Sequence, residues 1–404
     1  MSSSTSRVAS AQVSTVASAR GVRFGDHALL ICTLALGLFG AVMIGSASTS
    51  FAQSTYASPF YFITRQLFFL GIGFSIGVLV YQVPLSIWEK YGPHLIIVSL
   101  VFLALVLVPF IGKEVNGSRR WIDLGLFTVQ VSETVKLFII IYLAGYLVRR
   151  GHLVQTTFGG FARPLALISV ACALLLLEPD FGAAVVIAAT ATLMLFVAGV
   201  RFTQFMSLIA VLGAVGSILI VFSTYRLRRF VGFMHPFDDP FGAGYQLSNS
   251  LIAIGSGGIT GAGIGNSIQK MDFLPEAHTD FLFAVLCEEL GLIGAVGAIC
   301  LYSFIVWRCF QLSRMADAQG NGFAGFLALG IGIWIGLQSF INMGVSLGVL
   351  PTKGITLPLM SYGGSSAIVF CIAFSLLLRV EWELTLNERI ALRAGDPLDE
   401  ESYP

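Results

Sequence analysis

Charged residues are scarce in this chain. Only 11% of its 404 residues are Asp, Glu, Lys or Arg, whereas 56% are hydrophobic. Soluble domains carry about 25% charged residues, so the composition excludes an ordinary soluble protein and favours a polytopic membrane protein. The formal net charge of +1 provides neither a basic field for nucleic acid nor an acidic tail. We therefore predict that nucleic acid is not a partner.

Cysteine is also rare, and its placement excludes two classes of site. None of the six cysteines shows metal-ligand spacing, and the long loops contain none. A disulfide framework and a zinc site are thereby disfavoured, and the cysteines are interpreted as small buried hydrophobic residues. A convincing internal repeat is missing as well, which weakens the case for a secondary transporter.

Long apolar segments are what the sequence does contain. Because lipid offers backbone groups no hydrogen-bond partners, segments of about 20 apolar residues predict transmembrane helices. The ten predicted spans are 27–49, 61–82, 92–112, 131–148, 164–178, 182–200, 205–222, 281–307, 325–349 and 364–380. The sequence therefore predicts an all-α polytopic membrane protein with about ten transmembrane helices.

The segments outside the spans complete the predicted organisation. Residues 1–26 are predicted to be a disordered cytoplasmic tail, 27–380 the ten-span membrane domain, and 381–404 a cytoplasmic C-terminal tail. A large polar and Gly-rich loop, 223–280, separates spans seven and eight.

The distribution of positive charge predicts the orientation. Most arginines of the short loops fall on the same side of the ten spans, which the positive-inside rule assigns to the cytoplasm together with both termini. Two loops on the opposite side, 113–130 and 223–280, also carry Lys and Arg. Positive charge on the extracytoplasmic side suggests that an anionic ligand binds there.

The start of the fourth span carries an acid and a base. Glu133 and Lys136 are spaced i, i+3, so on a helix they share a face and can pair. This pair is interpreted either as a neutralised couple that fixes helix packing or as a phosphate-binding cation with a positioning or metal-ligating carboxylate. Arg226, Arg228 and Arg229 allow two interpretations in the same way, as interfacial anchors or as a grip on pyrophosphate.

Several other glycine-rich or polar positions allow a structural interpretation. The glycines of 255–265 lack the surrounding strands of a nucleotide-binding loop and favour close approach of the backbone to other backbone or to a lipid head group. Glu288 and Glu289 favour a structural role, and Arg65 and Asn342 are either polar links between helices or cavity lining.

Asp280 is the leading candidate for chemistry. It stands at the boundary of an apolar helix, where an ionisable group is costly and usually functional. Partial desolvation would raise its pKa, which suits a general base. A helix starting near Pro275 would put Glu276 on the same face as Asp280, but not His278. A carboxylate that only complements the helix dipole is the alternative, and it fits Glu276 better.

Several motifs along the chain resemble those of a known family. They lie at 116–121, 130–136, 179–182, 235–236, 244–246, 274–281, 288–291 and 361–366. Together they resemble the SEDS family (shape, elongation, division and sporulation) from about residue 27 to 381, and 350–358 resembles its division branch. Val131 departs from the pattern, since the family usually has Pro there.

The resemblance implies a peptidoglycan glycosyltransferase. Such an enzyme polymerises lipid II into β-1,4 glycan strands during septal cell-wall synthesis, with inversion and with Asp280 as general base. A lipid II flippase is the alternative, but the ionisable groups gather on the extracytoplasmic side, which favours an enzyme. The resemblance and the charge pattern together give these predicted substrate-binding residues: Trp121, Arg120, Glu133, Lys136, Lys353, His278 and Ser365.

The resemblance also implies partners and a location. A divalent cation, Mg or Mn, is expected as a possible cofactor, with no organic cofactor. The expected partners are lipid II and the lipid-linked nascent glycan, a class B penicillin-binding transpeptidase, and other division proteins. The expected location is the bacterial cytoplasmic (inner) membrane at the division septum.

Overall fold

Helices dominate the part of the chain that is described. The structure is a computed structural model and describes residues 27–115, 118–123, 125, 128–271 and 273–394. The predicted tail 1–26, Asn116 and Gly117 of the first loop, and 395–404 lie outside these residues. The helices are α1 His27–Tyr56, α2 Tyr61–Gln82, α3 Leu85–Leu107, α4 Val131–Thr156, α5 Phe158–Leu177, α6 Phe181–Val197, α7 Phe202–Val221, α8 Thr224–Met234, α9 Tyr245–Gly257, α10 Leu282–Ala318, α11 Gly322–Ser346 and α12 Gly364–Ala394. The strands are β1 Gly112–Val115, β2 Ser118–Asp123 and β3 Thr128–Gln130.

These helices confirm an all-α polytopic membrane protein. Within the described residues, 8 helices are long and apolar enough to cross a membrane, and α6 is apolar but shorter. The ten predicted spans correspond to α1–α7 and α10–α12. Helix α4 is kinked at Arg150, where φ is −135° and ψ is 19°, so its first part ends close to the predicted boundary at residue 148. Helix α5 starts earlier than predicted because Thr157, whose hydroxyl accepts from the Gly160 N–H, caps its start. Helix α12 continues past residue 380, so the first part of the predicted C-terminal tail is helical.

A small antiparallel sheet forms where the sequence predicted only a loop. Its strand order is β1-β2-β3, and Trp121 stands opposite Lys113 on one side and Gln130 on the other. The Gln130 N–H donates to Ser365 Oγ at 2.9 Å, and that hydroxyl donates to the Thr128 carbonyl at 3.2 Å. The sheet is thereby joined to the start of α12.

The core of the bundle lies around α4 and α11. Most of their side chains are buried, and the Trp334 ring of α11 stacks on Phe370 of α12 with centroids 4.5 Å apart. Helix α7 is the opposite case, because none of its side chains is buried. It stands at the edge of the bundle, beside α6 and α8.

Helix α10 is broken at Gly291, where φ is 63° and ψ is −158°. The backbone groups freed by the break bond to the Gly-rich segment 258–263. Leu292 and Ile293 donate to the carbonyls of Gly258 and Ile259 at 3.0 and 3.2 Å. In return, 262 and 263 donate to the carbonyls of 288 and 289, both at 2.9 Å. Because an unpaired backbone group is costly inside a membrane protein, this pairing makes the break tolerable. Close backbone approach is found at Gly257 and Gly261, where an added Cβ would meet the carbonyl oxygens of Cys287 and Glu289.

Two buried glutamates fasten the same segment through their side chains. Glu288 accepts from Ser267 Oγ at 2.5 Å and from the Ile268 N–H at 2.9 Å. Lys270 Nζ donates to Glu289 at 2.8 Å, and Ser46 Oγ of α1 donates to the same carboxylate at 2.6 Å. Segment 258–270 is therefore tied to both α10 and α1, which is a structural role for both acids.

The close approach at Gly261 gives a testable difference between two glycines. Both Gly261 and Gly265 have positive φ, but a Cβ at Gly261 would lie 2.1 Å from the Glu289 carbonyl oxygen, whereas one at Gly265 meets nothing within 4 Å. Both Ala variants incur the backbone strain, about 1–2 kcal/mol. We expect Gly261→Ala to lower the Tm of the purified protein in detergent by clearly more than Gly265→Ala. Equal Tm shifts would contradict the described pairing.

Candidate active site

Asp280 lies in a series of turns that runs directly into α10. Residues 274–281 are not helical, and α10 begins at Leu282. The predicted span starting at residue 281 is thus confirmed, whereas a helix starting near Pro275, which would align Glu276 with Asp280, does not form. The physical reason is Glu276, whose φ of 57° lies in the left-handed region and reverses the chain. The Phe281 N–H then donates back to the Glu276 carbonyl at 3.2 Å.

Two neighbouring elements hold Asp280 in place. Asn342 Nδ2 of α11 donates to the Asp280 carbonyl at 2.8 Å and to the Ile355 carbonyl. The Asp280 carboxylate lies against Gly354, where an added Cβ would approach Oδ2 to 2.8 Å. Of the two interpretations of Asn342, a polar link is therefore the one observed, and it joins α11 to two loops. Gly354, which has no side chain, leaves room for the Asp280 carboxylate.

The electrostatic surroundings of Asp280 adjust its proton affinity. Withdrawal from water raises the pKa of the Asp280 carboxyl to about 7, with a further upward contribution from the Glu276 carboxylate. Arg229 and Arg120 act in the opposite direction, and Asp180 adds to the increase. The side chain is only half-buried, so it can still meet a substrate. A carboxyl group with this pKa is partly ionised at neutral pH.

Arg120, on strand β2 of the small sheet, is one of the two arginines whose charge acts on Asp280. Its guanidinium donates to the carbonyls of Glu178 and Pro179 at 3.2 and 2.6 Å, in the turn between α5 and α6. These bonds fix the cation while its charge still acts on Asp280. The turn between α5 and α6 is therefore the support for Arg120.

Further cations gather around Phe181, the first residue of α6. Lys353 Nζ lies 3.5 Å from the centroid of the Phe181 ring, and Arg226 Cζ lies 5.3 Å from it. Burial lowers the pKa of Lys353 to about 8, with additional repulsion from Arg226 and Arg229. We call Arg120, Arg226, Arg229 and Lys353 the cationic cluster. Repulsion among these cations favours binding of a polyvalent anion.

The Glu133–Lys136 pair exists as predicted, but it is enclosed within the bundle. Lys136 Nζ donates to Glu133 Oε1 and to Gln338 Oε1, both at 2.8 Å, and lies 5.4 Å from the Trp334 ring centroid. Both charged side chains are buried. Gln338 precedes Asn342 by one turn of α11. This geometry is that of a couple fixing helix packing, and the substrate-binding role of the pair stays a prediction.

The other predicted site residues occupy three different places. Trp121 is half-buried in β2, next in the chain to Arg120. Ser365 joins the sheet to α12. His278 is buried, with its ring centroid 4.4 Å from that of Phe62. The structure thus brings Arg120 and Lys353 to the surroundings of Asp280, and the substrate contacts of Trp121, Ser365 and His278 stay predictions.

Phe181, Asn342 and Gly354 were not among the predicted site residues. Asn342 was recognised as an amide inside an apolar helix, but its hydrogen bond to the Asp280 carbonyl was not predicted. Gly354 and Phe181 carry no such signal, because their roles depend on which segments meet in space.

Two carboxylates in the turn that supports Arg120 are candidate ligands for a metal ion. Asp180 Oδ2 and both carboxylate oxygens of Glu178 are buried without a hydrogen-bond partner. Among the residues that the structure describes, no group of three or more His, Cys, Asp or Glu side chains could hold a metal ion.

Comparison with known proteins places these features in a family. The profile described as "Cell cycle protein", for FtsW, RodA and SpoVE, matches residues 26–386. A protein of Thioalkalivibrio sulfidiphilus named probable peptidoglycan glycosyltransferase FtsW is 49% identical over 370 residues, 92% of each chain. A protein of the same name from Nitrosococcus halophilus is 51% identical over 91% of this chain and 95% of its own.

Solved structures are similar over nearly the same length. A chain from a study titled "Structural coordination of polymerization and crosslinking by a peptidoglycan synthase complex" is 30% identical with a TM-score of 0.73, over 89% of this chain and 98% of that one. The rod shape determining protein RodA of Thermus thermophilus is 29% identical with a TM-score of 0.65, over 89% and 97% of the two chains. With the profile covering most of its length and relatives near 50% identity carrying one name, the chain belongs to the FtsW, RodA and SpoVE family, the SEDS family, in its FtsW branch.

Proposed function

We propose that this protein is a peptidoglycan glycosyltransferase that polymerises lipid II into β-1,4 glycan, with Asp280 as general base. The observation that carries the proposal is one half-buried carboxyl group of raised pKa beside a cluster of four cations. The names of the curated relatives support the same reaction class.

Asp280 has the proton affinity that a base for a sugar hydroxyl needs. A hydroxyl is a poor nucleophile until a base takes its proton, and a base is most effective when its pKa lies near the working pH. With a pKa of about 7, the Asp280 carboxylate is both available and basic at neutral pH. It would accept the proton of the GlcNAc 4-hydroxyl of the incoming lipid II as that oxygen attacks the donor sugar.

The cationic cluster would stabilise the leaving group. When the sugar–phosphate bond of the donor breaks, the lipid pyrophosphate takes the bonding electrons and its negative charge grows. Guanidinium groups bind phosphate oxygens in pairs, and cations already held in place cost no reorganisation during the reaction. Lys353 lies close enough to Arg226 and Arg229 to be repelled by them, and Arg229 and Arg120 both act on Asp280, so one pyrophosphate could contact several of these cations.

The stereochemical outcome follows from the number of displacement steps. With one base and no enzyme nucleophile, the acceptor oxygen displaces the pyrophosphate directly. An α-linked donor then gives a β-1,4 glycan, by analogy with inverting glycosidases.

A divalent cation fits the edge of this site. Magnesium or manganese commonly takes one or two protein carboxylates and completes its ligands with phosphate oxygens and water. Asp180, with its unpartnered Oδ2, would hold such an ion together with the substrate phosphates. The ion would supply positive charge to the pyrophosphate, while Asp280 stays free to accept the proton.

The family relationship supports a partner and a location. A similar chain comes from a complex that coordinates polymerization and crosslinking, so we propose a class B penicillin-binding transpeptidase as partner of this multi-pass membrane protein. Its site would face the extracytoplasmic side at the division septum, with both termini in the cytoplasm and other division proteins nearby.

Replacing the proposed base tests the function directly. We expect Asp280→Asn to lower lipid II polymerisation at least about 100-fold, because general-base catalysis contributes about 10²–10⁴-fold. The measurement is glycan length on a gel after incubating lipid II with the purified protein and its transpeptidase partner. Asp238→Asn, an exposed acid of the same loop, is the matched control and should polymerise like wild type.

The polymerisation experiment distinguishes the glycosyltransferase hypothesis from the flippase hypothesis. Equal polymerisation by Asp280→Asn and wild type would refute the assignment of the base. If wild type made no polymer but moved labelled lipid II across liposomes, the flippase interpretation would replace the enzyme.

The pH dependence tests the electrostatic origin of the raised pKa. Because the base acts ionised, the polymerisation rate should fall as pH decreases through about 7. The Glu276 carboxylate raises the pKa of Asp280, so Glu276→Gln should lower that pKa and move the acid limb of the rate profile to lower pH. An unchanged acid limb in Glu276→Gln, with the fold intact, would contradict this cause.

Lys353 provides a test of the anion site. Lys353→Met removes a cation, and a hydrogen bond to a charged group contributes about 1.5–3 kcal/mol. We therefore expect about tenfold or greater loss of kcat/KM for lipid II, with partial recovery in Lys353→Arg. Lys90→Met, which removes a cation of α3, is the control. Unchanged kinetics in Lys353→Met would exclude Lys353 from the anion site.

A further inference from the structure

Six aromatic side chains meet where α1 ends and α2 begins. They come from α1, α2 and two distant loops, and we call them the aromatic platform: Phe51, Tyr56, Tyr61, Phe62, His278 and Tyr362. Its inner layer is buried, since Phe62 and His278 are only 6% and 9% exposed. Its outer layer is open, since Phe51 and Tyr56 are 41% and 46% exposed.

The rings of the platform are arranged to present flat faces. Tyr56 and Tyr61 stack with centroids 3.9 Å apart and an interplanar angle of 6°. Phe51 lies over His278 at 5.7 Å and 25°. Beneath them, Phe62 meets Tyr362 edge-to-face at 5.0 Å, so the inner layer holds the outer rings in place.

A cation completes the edge of the platform. Arg65 Nη1 donates to the Tyr61 hydroxyl at 2.6 Å, and its guanidinium carbon lies 5.2 Å from the Tyr61 ring centroid. The arginine is exposed, and a guanidinium carries five N–H donors in a plane. N–H groups of Arg65 that do not bond to Tyr61 therefore remain at the edge of the exposed ring faces. Arg65 lies at the surface of the helix bundle.

The platform is joined to the segment that carries Asp280. The Tyr362 N–H donates to the His278 carbonyl at 3.0 Å, and His278 precedes Asp280 by two residues. A group bound on the platform would therefore lie beside the reacting centre. Flat apolar faces with hydrogen-bond donors at their rim match a pyranose ring, whose C–H groups are attracted by the negative ring face and whose hydroxyls lie at its edge.

We propose that the aromatic platform, with Arg65, is a carbohydrate subsite that binds a pyranose ring of the lipid-linked saccharide next to the sugar that reacts. This rests on the proposed function, because the saccharide is that of the polymerase substrates. The ring belongs either to incoming lipid II or to the growing glycan, which share this chemistry. An aromatic belt that only anchors the protein at the membrane interface would need no such convergence on His278.

A binding experiment tests the subsite without requiring turnover. Chitotetraose, a soluble β-1,4 oligomer of N-acetylglucosamine, is titrated into the purified full-length chain in detergent, and its binding is followed by saturation-transfer NMR. We expect Tyr56→Ala to weaken binding about threefold to tenfold, the size of one aromatic contact. Tyr56→Trp should keep binding and show a change in tryptophan fluorescence. Phe60→Ala, which is 67% exposed in the same α1–α2 connection but outside the platform, should bind like wild type.

The polymerisation assay then distinguishes the two sources of the ring. A raised KM for lipid II at unchanged kcat in Tyr56→Ala places incoming lipid II on the platform. Shorter glycans at an unchanged initial rate place the growing chain there.

Two results would overturn the proposal. One is wild-type protein that does not bind chitotetraose. The other is Tyr56→Ala that binds like wild type and loses only thermal stability, as expected of an interfacial anchor. Tyr56-dependent chitotetraose binding by a wild type that makes no polymer would instead leave the subsite standing and refute the proposed function.

Discussion

The pairing of segment 258–270 with α10 is the interaction on which the site depends. A broken helix within an apolar bundle exposes backbone groups that lipid cannot satisfy. The segment satisfies them by hydrogen bonding across Gly291, while Glu288 and Glu289 fix its far end through Ser267 and Lys270. Residues 274–281 follow directly from this fixed segment. The position of Asp280 is therefore set by backbone pairing at one end and by Asn342 at the other.

The low-dielectric surroundings explain why some of the charged side chains are paired whereas others have shifted pKa values. A charge withdrawn from water must be paired or must change its proton affinity. Glu133 and Lys136 are paired with each other within the bundle. Asp280 and Lys353 instead shift their pKa values towards neutrality, which makes them responsive to substrate. The charges of the half-buried site are thus not neutralised by pairing with each other.

Much of this arrangement could be predicted from the sequence, because lipid forces long apolar segments into helices. The spans, the pairing of Glu133 with Lys136, and Asp280 as an acid at a helix boundary followed from local pattern. The left-handed turn at Glu276, just before α10, did not, since it has no sequence signature. Neither the sheet that carries Arg120 nor the meeting of α1 with Tyr362 could be predicted, because both depend on contacts between segments far apart in the chain.

The surroundings of Asp280 give this carboxyl group the proton affinity that a general base needs. A carboxyl titration by infrared difference spectroscopy tests this directly, comparing wild type with Asp280→Asn to isolate the band of this residue. We expect a band that titrates near pH 7. A band that titrates near the ordinary Asp pKa of about 4 would contradict it.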